Sequence, residues 1–340
     1  MKPKVATAFS GGGLSAYALK KIGCELQFAI EYDPEIAEVY RSNHGDRILV
    51  SKIEEVDLDR LRFFFPEELD LFQASPSCKN FAAVNVSHKP DESDDRAIGG
   101  LIAMITTLKP KTIIVENVTQ FLGSPPHLWL WSSLSSLYHL SAYTFNSADF
   151  GTPQSRTRAF ITGIRKDLTN QPIPIINPRL EHKCWYRAIG DLILSEPVYK
   201  NICGEWFKDG KLSPGDIPPR VGNVILSQQS LLPVAVELVG GKGRGKGGIY
   251  PACRPFHTIR AIGRKNSGHW HRHVIVYPEA SVIKMTPRML ARIMGLKDDF
   301  ILPDRNVLAG EILGNGVAIQ VMEAIAQQLL AQINQPCLTY

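Results

Sequence analysis

The chain has 340 residues, 44% of them hydrophobic, which is enough to bury a sizeable core, and its length predicts two domains or one large domain with an insertion. A net charge of +5 and a pI of about 8.8 suit a nucleic-acid partner but are shared by many ordinary enzymes. No apolar run approaches the roughly 18 residues of a membrane-spanning helix, and no secretory signal pattern begins at Met1. We therefore expect a cytoplasmic protein without a membrane partner.

The first half of the chain alternates between predicted strands and predicted helices. The strands are the apolar runs KVATAF, ELQFAI, LDLFQA, KTIIVENV, YTFNSADF and RAFITGI. A helical pattern runs from Leu14 to about Ile22, a second helix begins at Pro34, and IGGLIAMITTL has the character of a third. Strands separated by helices predict an α/β fold with a Rossmann-like, doubly wound, mostly parallel sheet.

The pattern changes in the second half. Residues 166–285 contain scattered prolines, short β-like runs and the segment GGKGRGKGG, which indicate a smaller, irregular β-rich domain. Helices return after it, because Thr286 is a predicted N-cap with Pro287 at the first helical position, and GNGVAIQVMEAIAQQLLAQI is predicted to form one long amphipathic helix. We therefore assign residues 1–165 and 286–340 to one domain and residues 166–285 to the other.

A glycine-rich turn follows the first predicted strand. Gly11, Gly13 and Ala16 fit the pattern G-x-G-x-x-A between a strand and a helix, and Glu31 ends the next strand. Glycines let a backbone approach a ligand, and a carboxylate accepts hydrogen bonds from ribose hydroxyls, so a ribose-containing ligand is favoured over an empty turn. The pattern is equally compatible with a nicotinamide dinucleotide and with S-adenosylmethionine.

Chemically useful residues cluster at later strand ends. Cys78 follows LDLFQA, Glu116 lies in VENV, and PQSRTR carries Gln154, Arg156 and Arg158. Each has an ordinary structural alternative: a small buried thiol, a polar strand end, or a solvated basic strand start. Ligands bind along the carboxyl edge of such sheets, however, and a cysteine, an acid and two arginines there suit attack on an electron-poor ring better than hydride transfer.

A metal site is not predicted. The six cysteines form no CxxC pair and show no zinc spacing. His269, His271 and His273 in HWHRH could share one face of a strand, but a polar strand face or a phosphate-facing loop is the favoured interpretation.

The motifs FSGGG, EYD, SPSC, ENV, QSRTR, TPRMLARIMG and GNGVAIQ occur in the same order as those of the cytosine-C5 DNA methyltransferases, and the chain resembles that family over residues 5–165 and 285–330. The resemblance implies a class I methyltransferase fold in which residues 166–285 form the target-recognition domain. It also implies methyl transfer from S-adenosylmethionine to C5 of a flipped-out cytosine in a specific sequence of double-stranded DNA.

The resemblance assigns roles to individual residues. Cys78 matches the nucleophile that adds to C6 of cytosine, and Glu116 matches the acid that holds the N3 and N4 edge. Arg158 matches the arginine that supports the pocket and the adduct, and Arg156 accompanies it as a further catalytic candidate. The residues that match cofactor-binding positions are Phe9, Gly11, Gly13, Leu14, Glu31, Tyr32 and Asn315. The candidate DNA contacts are Gln154, Lys242, Arg244, Arg254 and Thr258.

The chain departs from the family pattern around the nucleophile and the adenine. Ser77 precedes Cys78 where the family usually has proline, and Lys79 follows it where the family usually has glutamine. Lys52 stands near the position where an aspartate often contacts adenine.

Other functions remain as alternatives. A tRNA-modifying branch shares the catalytic motifs, but the chain lacks the CFT tripeptide associated with that branch. A catalytically silent DNA-binding relative is a second alternative, and a nicotinamide oxidoreductase would leave Cys78, Glu116 and Arg158 unexplained. We expect a monomer, and a companion restriction endonuclease acting on the same site would be a partner.

Overall fold

The computed structural model describes residues 1–77, 92–172, 174–193, 224, 232–237, 248–261, 273–277 and 282–333. Packing divides the chain into two compact units. The first comprises Met1–Phe150, Arg156–Arg179 and Gly316–Tyr340, and the second comprises Gly151–Ser155 and Leu180–Asn315.

The first unit is built on a seven-stranded sheet. Its strands are β1 (Lys4–Ala8), β2 (Glu25–Glu31), β3 (Ile48–Val50), β4 (Leu71–Ala74), β5 (Thr112–Asn117), β6 (Tyr138–Asn146) and β7 (Thr157–Arg165). They lie in the order β3-β2-β1-β4-β5-β7-β6. The first five are parallel, and β7 runs antiparallel to both of its neighbours. This arrangement confirms the predicted α/β fold with a mostly parallel sheet.

Helices of the first unit cover both faces of this sheet. The α-helices among the described residues are α1 (Leu14–Lys21), α2 (Pro34–His44), α3 (Leu58–Phe64), α4 (Glu92–Leu108), α5 (Pro125–Leu134), α6 (Trp185–Ile193), α7 (Pro287–Ile293), α8 (Asn306–Asn315) and α9 (Ile319–Ile333). On one face, Leu101, Met104 and Ile105 of α4 pack into a core cluster with the inner strands. On the other face, Ala16 of α1 and Tyr40 of α2 join a second cluster, and α9 packs against α1.

The second unit contains a four-stranded antiparallel sheet. Its strands are β8 (Val234–Glu237), β9 (Ile249–Pro251), β10 (His273–Val276) and β11 (Val282–Lys284), in the order β11-β10-β8-β9. The fully buried Trp185 anchors α6, because its indole Nε1 donates a 2.8 Å hydrogen bond to the carbonyl of Pro251 and its ring contacts Phe256. The described part of the predicted smaller β-rich region therefore contains a small antiparallel sheet, with the start of α6 packed against β9.

The boundary between the packing units differs from the predicted domain boundary. Residues 286–315 were predicted to belong with residues 1–165, but α7 packs against α6, and Arg292 of α7 forms an ion pair with Asp191 of α6. These contacts place α7 and α8 in the second unit by packing. The functional division at residue 286 stays a prediction, since packing alone does not test it.

Local signals fix the helix starts. Thr286 accepts a hydrogen bond from the Met289 amide at the start of α7, and Pro287 is the first helical residue, as predicted. The prediction of one long helix from Gly314 onward was wrong: α8 ends at Asn315 and α9 begins only at Ile319.

In the described part of the chain no single helix has the length and apolarity needed to cross a membrane, although α8 and α9 taken together as a bent pair meet that test by length and composition.

Candidate active site

The glycine turn joins β1 to α1 and is held by the end of β2. The Gly11 amide donates a 2.8 Å hydrogen bond to Oε2 of Glu31. Gly13 is the N-cap of α1 with φ 92°, a left-handed conformation that favours glycine, and no side chain caps the helix there. Phe9 also has a positive φ of 52°, which is uncommon for a residue with a side chain and is often found at functional sites. Leu14 begins the helix and is buried.

Two adjacent residues at the end of β2 differ sharply in exposure. Glu31 is 5% exposed, and its Oε1 accepts a 3.0 Å hydrogen bond from the Asp33 amide. Burial raises the pKa of Glu31, although hydrogen bonds from the Asp33, Gly11 and Tyr32 amides oppose that shift. Tyr32 is 58% exposed. The ends of β1 and β2 thus carry three features: a helix start without a side-chain cap, the buried carboxyl group of Glu31 and the exposed ring of Tyr32. There is open space beside Gly11, since nothing lies within 4 Å of where its Cβ would stand. These residues fit a nucleoside-containing cofactor.

Glu116 and Arg158 meet on neighbouring strands. Glu116, on β5, is 5% exposed, and its Oε1 lies 3.5 Å from Nε of Arg158 on β7. Burial raises the pKa of Glu116, while the positive charges of Arg158 and Arg156 and a hydrogen bond with Ser75 act in the opposite direction. The site therefore contains a carboxyl group that holds its proton to a higher pH than an ordinary glutamate does.

Ser75 is a site residue that the sequence analysis missed. It follows β4 directly, and its hydroxyl interacts with the Glu116 carboxyl group. Gln73 donates a 2.8 Å hydrogen bond to Ser75 Oγ, which leaves the Ser75 proton free to point to Glu116. The position of Ser75 one residue after a buried strand is the signal that could have identified it.

Asn117 ties the end of β4 to the end of β5. Its Nδ2 donates a 3.2 Å hydrogen bond to the carbonyl of Pro76, and its Oδ1 accepts one from the Val118 amide. Asn117 is 3% exposed, so both bonds are shielded from water. Ser77 is exposed, and Cys78 lies outside the described residues. The last buried residue before the predicted nucleophile is therefore fixed to the strand that carries Glu116.

Arg156 is buried rather than solvated. It is 2% exposed, its amide donates a 3.0 Å hydrogen bond to Ser147 Oγ, and its carbonyl accepts one from the Ser147 amide. Arg158 is also largely buried, with 16% of its side chain exposed. The alternative interpretation of this segment as a solvated basic strand start is wrong.

The second unit brings together two of the predicted DNA-contact segments. Gln154 is fully buried and donates a 3.3 Å hydrogen bond to the carbonyl of His257, and Thr258 Oγ1 donates one of 3.1 Å to the carbonyl of Ser155. Arg254 is exposed, but its carbonyl accepts a 3.0 Å bond from the Trp185 amide. The other two predicted contacts, Lys242 and Arg244, lie outside the described residues.

The histidine-rich segment contributes one described residue. His273 is buried, and its Nε2 lies 2.7 Å from Nε2 of His257. His269 and His271 lie outside the described residues. Within those described residues, no group of three or more His, Cys, Asp or Glu side chains could hold a metal ion.

Asn315 is the last residue of α8, in the second unit. Gly314 before it has no room for a side chain, because the backbone of Ala261 lies against it. Asn315 as a cofactor residue stays a prediction.

Comparison with known proteins identifies the family. The model of the family C-5 cytosine-specific DNA methylase matches residues 4–331. The chain is 24% identical to the type II methyltransferase M.HhaI of Haemophilus parahaemolyticus, over 96% of this chain and 94% of the relative. It is 28% identical to M.NgoPII of Neisseria gonorrhoeae, over 95% of this chain and 94% of the relative.

Solved structures share the fold. The Dnmt2 methyltransferase of S. pombe has 16% sequence identity and a TM-score of 0.61, and the alignment covers 98% of this chain and 100% of that one. At this identity the likeness concerns the fold alone. The family model and the sequence relatives confirm the resemblance drawn from the ordered motifs, and members of the family take their methyl group from S-adenosylmethionine. The chain therefore belongs to the C-5 cytosine-specific DNA methylase family.

Proposed function

We propose that the chain methylates C5 of cytosine in a specific sequence of double-stranded DNA, through a covalent adduct between Cys78 and C6 of the base. The observation that carries the proposal is the buried Glu116 carboxyl group, which contacts Arg158 and Ser75 at the edge of the sheet. A protonated carboxyl group in that position can donate to a ring nitrogen, which an ordinary exposed glutamate at neutral pH would not do.

The proposed chemistry begins with the thiolate of Cys78. A bond forms between Sγ and C6, and the electron pair of the C5–C6 double bond shifts toward C4 and N3, where Glu116 delivers its proton. C5 then has enamine character and forms a bond to the methyl carbon that S-adenosylmethionine would supply. The bond between that carbon and the sulfonium sulfur breaks, and S-adenosylhomocysteine is the leaving group. Transfer of the C5 proton to water leaves its electron pair to restore the C5–C6 double bond. This breaks the C6–S bond and releases the thiolate of Cys78, while the N3 proton returns to Glu116.

The protein would assist this chemistry chiefly through electrostatics. Arg158 and Arg156 carry positive charge next to Glu116, so they would stabilise its carboxylate after it gives up the proton. The hydrogen bond from Ser75 acts in the same direction. Burial favours the protonated acid before the step and raises the pKa of Glu116, and these three partners favour the carboxylate after it and act in the opposite direction.

The proposed cofactor site lies at the other end of the same sheet edge. Glu31 would accept hydrogen bonds from ribose hydroxyls, and the exposed ring of Tyr32 would cover the adenine. Phe9, Gly11, Gly13 and Leu14 would line the methionine portion at the start of α1. We assign Asn315 to the same ligand on the strength of its place in the motif GNGVAIQ.

The second unit is the proposed source of sequence choice. Arg254 and Thr258 are the candidate contacts to bases or to the DNA backbone there. Gln154 is a further candidate, which would have to leave its buried hydrogen bond to His257 to reach DNA. Lys242 and Arg244 are candidate phosphate contacts. The relatives M.HhaI and M.NgoPII are named type II methyltransferases, which supports DNA as the substrate and a companion endonuclease as a partner. We further propose that the chain is a cytoplasmic monomer.

One assay tests the proposal against its alternatives. The purified chain is incubated with S-adenosylmethionine labelled in its methyl group and with either double-stranded DNA or tRNA, and label in 5-methylcytosine is measured. We expect incorporation into DNA, at one sequence when the product is sequenced. Incorporation into tRNA alone would favour the RNA-modifying alternative, and DNA binding without incorporation would favour a catalytically silent relative.

A further inference from the structure

His44, the last residue of α2, reaches across to the glycine turn. Its Nε2 lies 2.8 Å from the carbonyl oxygen of Gly13, 31 positions earlier in the chain. A carbonyl oxygen can only accept a hydrogen bond, so Nε2 must carry the proton and donate it. Burial lowers the pKa of His44 to about 4, and the ring is therefore neutral near pH 7.

The position of the ring is fixed by its own neighbours. The Tyr40 ring meets it edge-on, with 4.8 Å between centroids. Tyr40 is 1% exposed, and its hydroxyl bonds with Thr7 on β1. Thr7 Oγ1 in turn lies 2.7 Å from Oγ of Ser10, within the glycine turn. A continuous chain of contacts thus runs from β1 through α2 and back to the turn.

Gly13 is the residue whose conformation this contact can control. With φ 92° it lies in the left-handed region, and a side chain here would collide with the His44 ring. Glycine can rotate its following peptide group at little cost, and such a rotation would turn the Gly13 carbonyl toward the space in front of α1. Two donors oppose it: the Tyr17 amide, at 2.8 Å, and His44.

We propose that His44 is a positioning residue for the cofactor, which holds the Gly13 carbonyl in place so that the start of α1 stays open to S-adenosylmethionine. The inference rests on the proposed cofactor site at the glycine turn. It requires no contact between His44 and the ligand. The donor is what matters, so a side chain that keeps an N–H group at this position should replace histidine, while one that keeps only its volume should not.

The test uses two substitutions in the full chain. His44→Gln keeps an amide donor near the Nε2 position, and His44→Phe keeps the ring and its contact with Tyr40 but removes the donor. Cofactor affinity is measured by calorimetry, and kcat and KM are measured on DNA. We expect His44→Phe to raise Kd and KM for S-adenosylmethionine by roughly three- to tenfold, with kcat at saturating cofactor within about twofold of wild type. His44→Gln should recover most of the affinity.

A matched control separates positioning from general stability. His139, on β6, also forms a hydrogen bond with a backbone carbonyl: its Nε2 lies 3.2 Å from the carbonyl oxygen of Thr169. His139→Phe should lower the unfolding midpoint to a similar degree as His44→Phe and leave cofactor affinity unchanged.

The possible failures are distinguishable. If Glu31→Ala weakens the cofactor but His44→Phe does not, the role of His44 is wrong and the proposed site stands. If neither changes affinity, the proposed cofactor site is wrong as well. The role proposed for His44 would also be overturned if His44→Gln and His44→Phe lost cofactor affinity equally, or if His44→Phe lowered only kcat.

Discussion

Nε of Arg158 lies 3.5 Å from Oε1 of Glu116, and the two residues belong to adjacent antiparallel strands. Such a pair would ordinarily lower the pKa of the carboxyl group, because a nearby positive charge favours the ionised form. Here burial outweighs that attraction, and the net shift is upward. The pKa of Glu116 is therefore set by opposing effects, and this balance motivates the first two predictions.

Replacing Glu116 should stop methylation and spare cofactor binding. Loss of a general acid typically lowers the rate by about 10²–10⁴-fold, and we expect Glu116→Ala to lower kcat by at least that much. Since the protonated carboxyl group is the active form, the alkaline side of the wild-type pH–rate profile should decline as pH rises through the pKa of Glu116. Calorimetry should show unchanged affinity for S-adenosylmethionine.

A suitable control for this substitution is Glu68→Gln. Glu68 also pairs with an arginine, Arg165, at 2.8 Å, but 47% of its side chain is exposed. The Glu68→Gln variant should keep wild-type activity at every pH. If Glu116→Ala also kept wild-type activity, the role proposed for Glu116 would be refuted.

Ser75→Ala should move the alkaline limb of the pH–rate profile to higher pH. The Ser75 hydroxyl stabilises the Glu116 carboxylate, so its removal raises the pKa of Glu116 further and extends the protonated form upward. The profile is measured at saturating cofactor and DNA. Thr106→Ala, which removes a hydroxyl that bonds only to α4 backbone carbonyls in its own helix, serves as the comparison. A shift toward lower pH would contradict the proposed direction of this hydrogen bond.

Two partly buried histidines should make the protein sensitive to acid. Burial lowers the pKa of His44 and of His257 from the ordinary histidine value of about 6.5 to about 4 each. Between pH 4 and pH 6.5 the unfolded chain binds more protons than the folded chain. The contribution of these histidines to the free energy of unfolding is therefore complete above about pH 6.5 and is lost as pH falls toward 4. Each residue contributes on the order of 1–3 kcal/mol to this loss. Urea unfolding of wild type and His44→Gln from pH 7 to pH 4 should give a shallower decline for the variant, and equal declines would rule out His44 as a source.

Local sequence patterns were sufficient to predict much of the fold and part of the candidate site. The glycine turn, the acid at the end of β2 and the N-cap at Thr286 each depend on neighbouring residues, so the sequence predicts them directly. The insertion of β7 between β5 and β6 depends on pairing between distant segments, and alternation of strands and helices does not reveal it.

Contacts between distant residues also account for what was missed at the site. Ser75 meets Glu116, and Thr258 meets Ser155, 103 positions away, only because the sheet or the second unit folds them together. Nothing in the spacing of SPSC or RPFHTI encodes these partners. His44 lies in a helix whose apolar pattern suggests only packing, and its contact with Gly13 is likewise a consequence of the tertiary fold.

Arg254→Ala should relax the choice of one base. Backbone bonds to Trp185 and Pro251 hold this residue while leaving its side chain exposed, which suits contact with a base edge. We expect a loss of about 1–3 kcal/mol for the preferred site and little loss for sites that differ at that base. Lys242→Ala and Arg244→Ala should instead weaken binding to all DNA and reduce its dependence on salt. An equal loss on every sequence for Arg254→Ala would identify it as a phosphate contact.

Cys78 should form a covalent adduct that can be trapped. Attack at C6 normally resolves when the proton leaves C5, but fluorine at C5 cannot leave as a cation. DNA with 5-fluorocytosine at the target site should therefore remain attached to the chain when S-adenosylmethionine is present. The complex should survive denaturing electrophoresis, and peptide mapping should locate the bond at Cys78.

Cys78→Ser keeps the size of the side chain, but a hydroxyl is far less ionised near neutral pH and is a much weaker nucleophile. It should bind cofactor normally and lose both the adduct and nearly all methylation, whereas a serine variant with the wild-type rate would refute covalent catalysis by this residue.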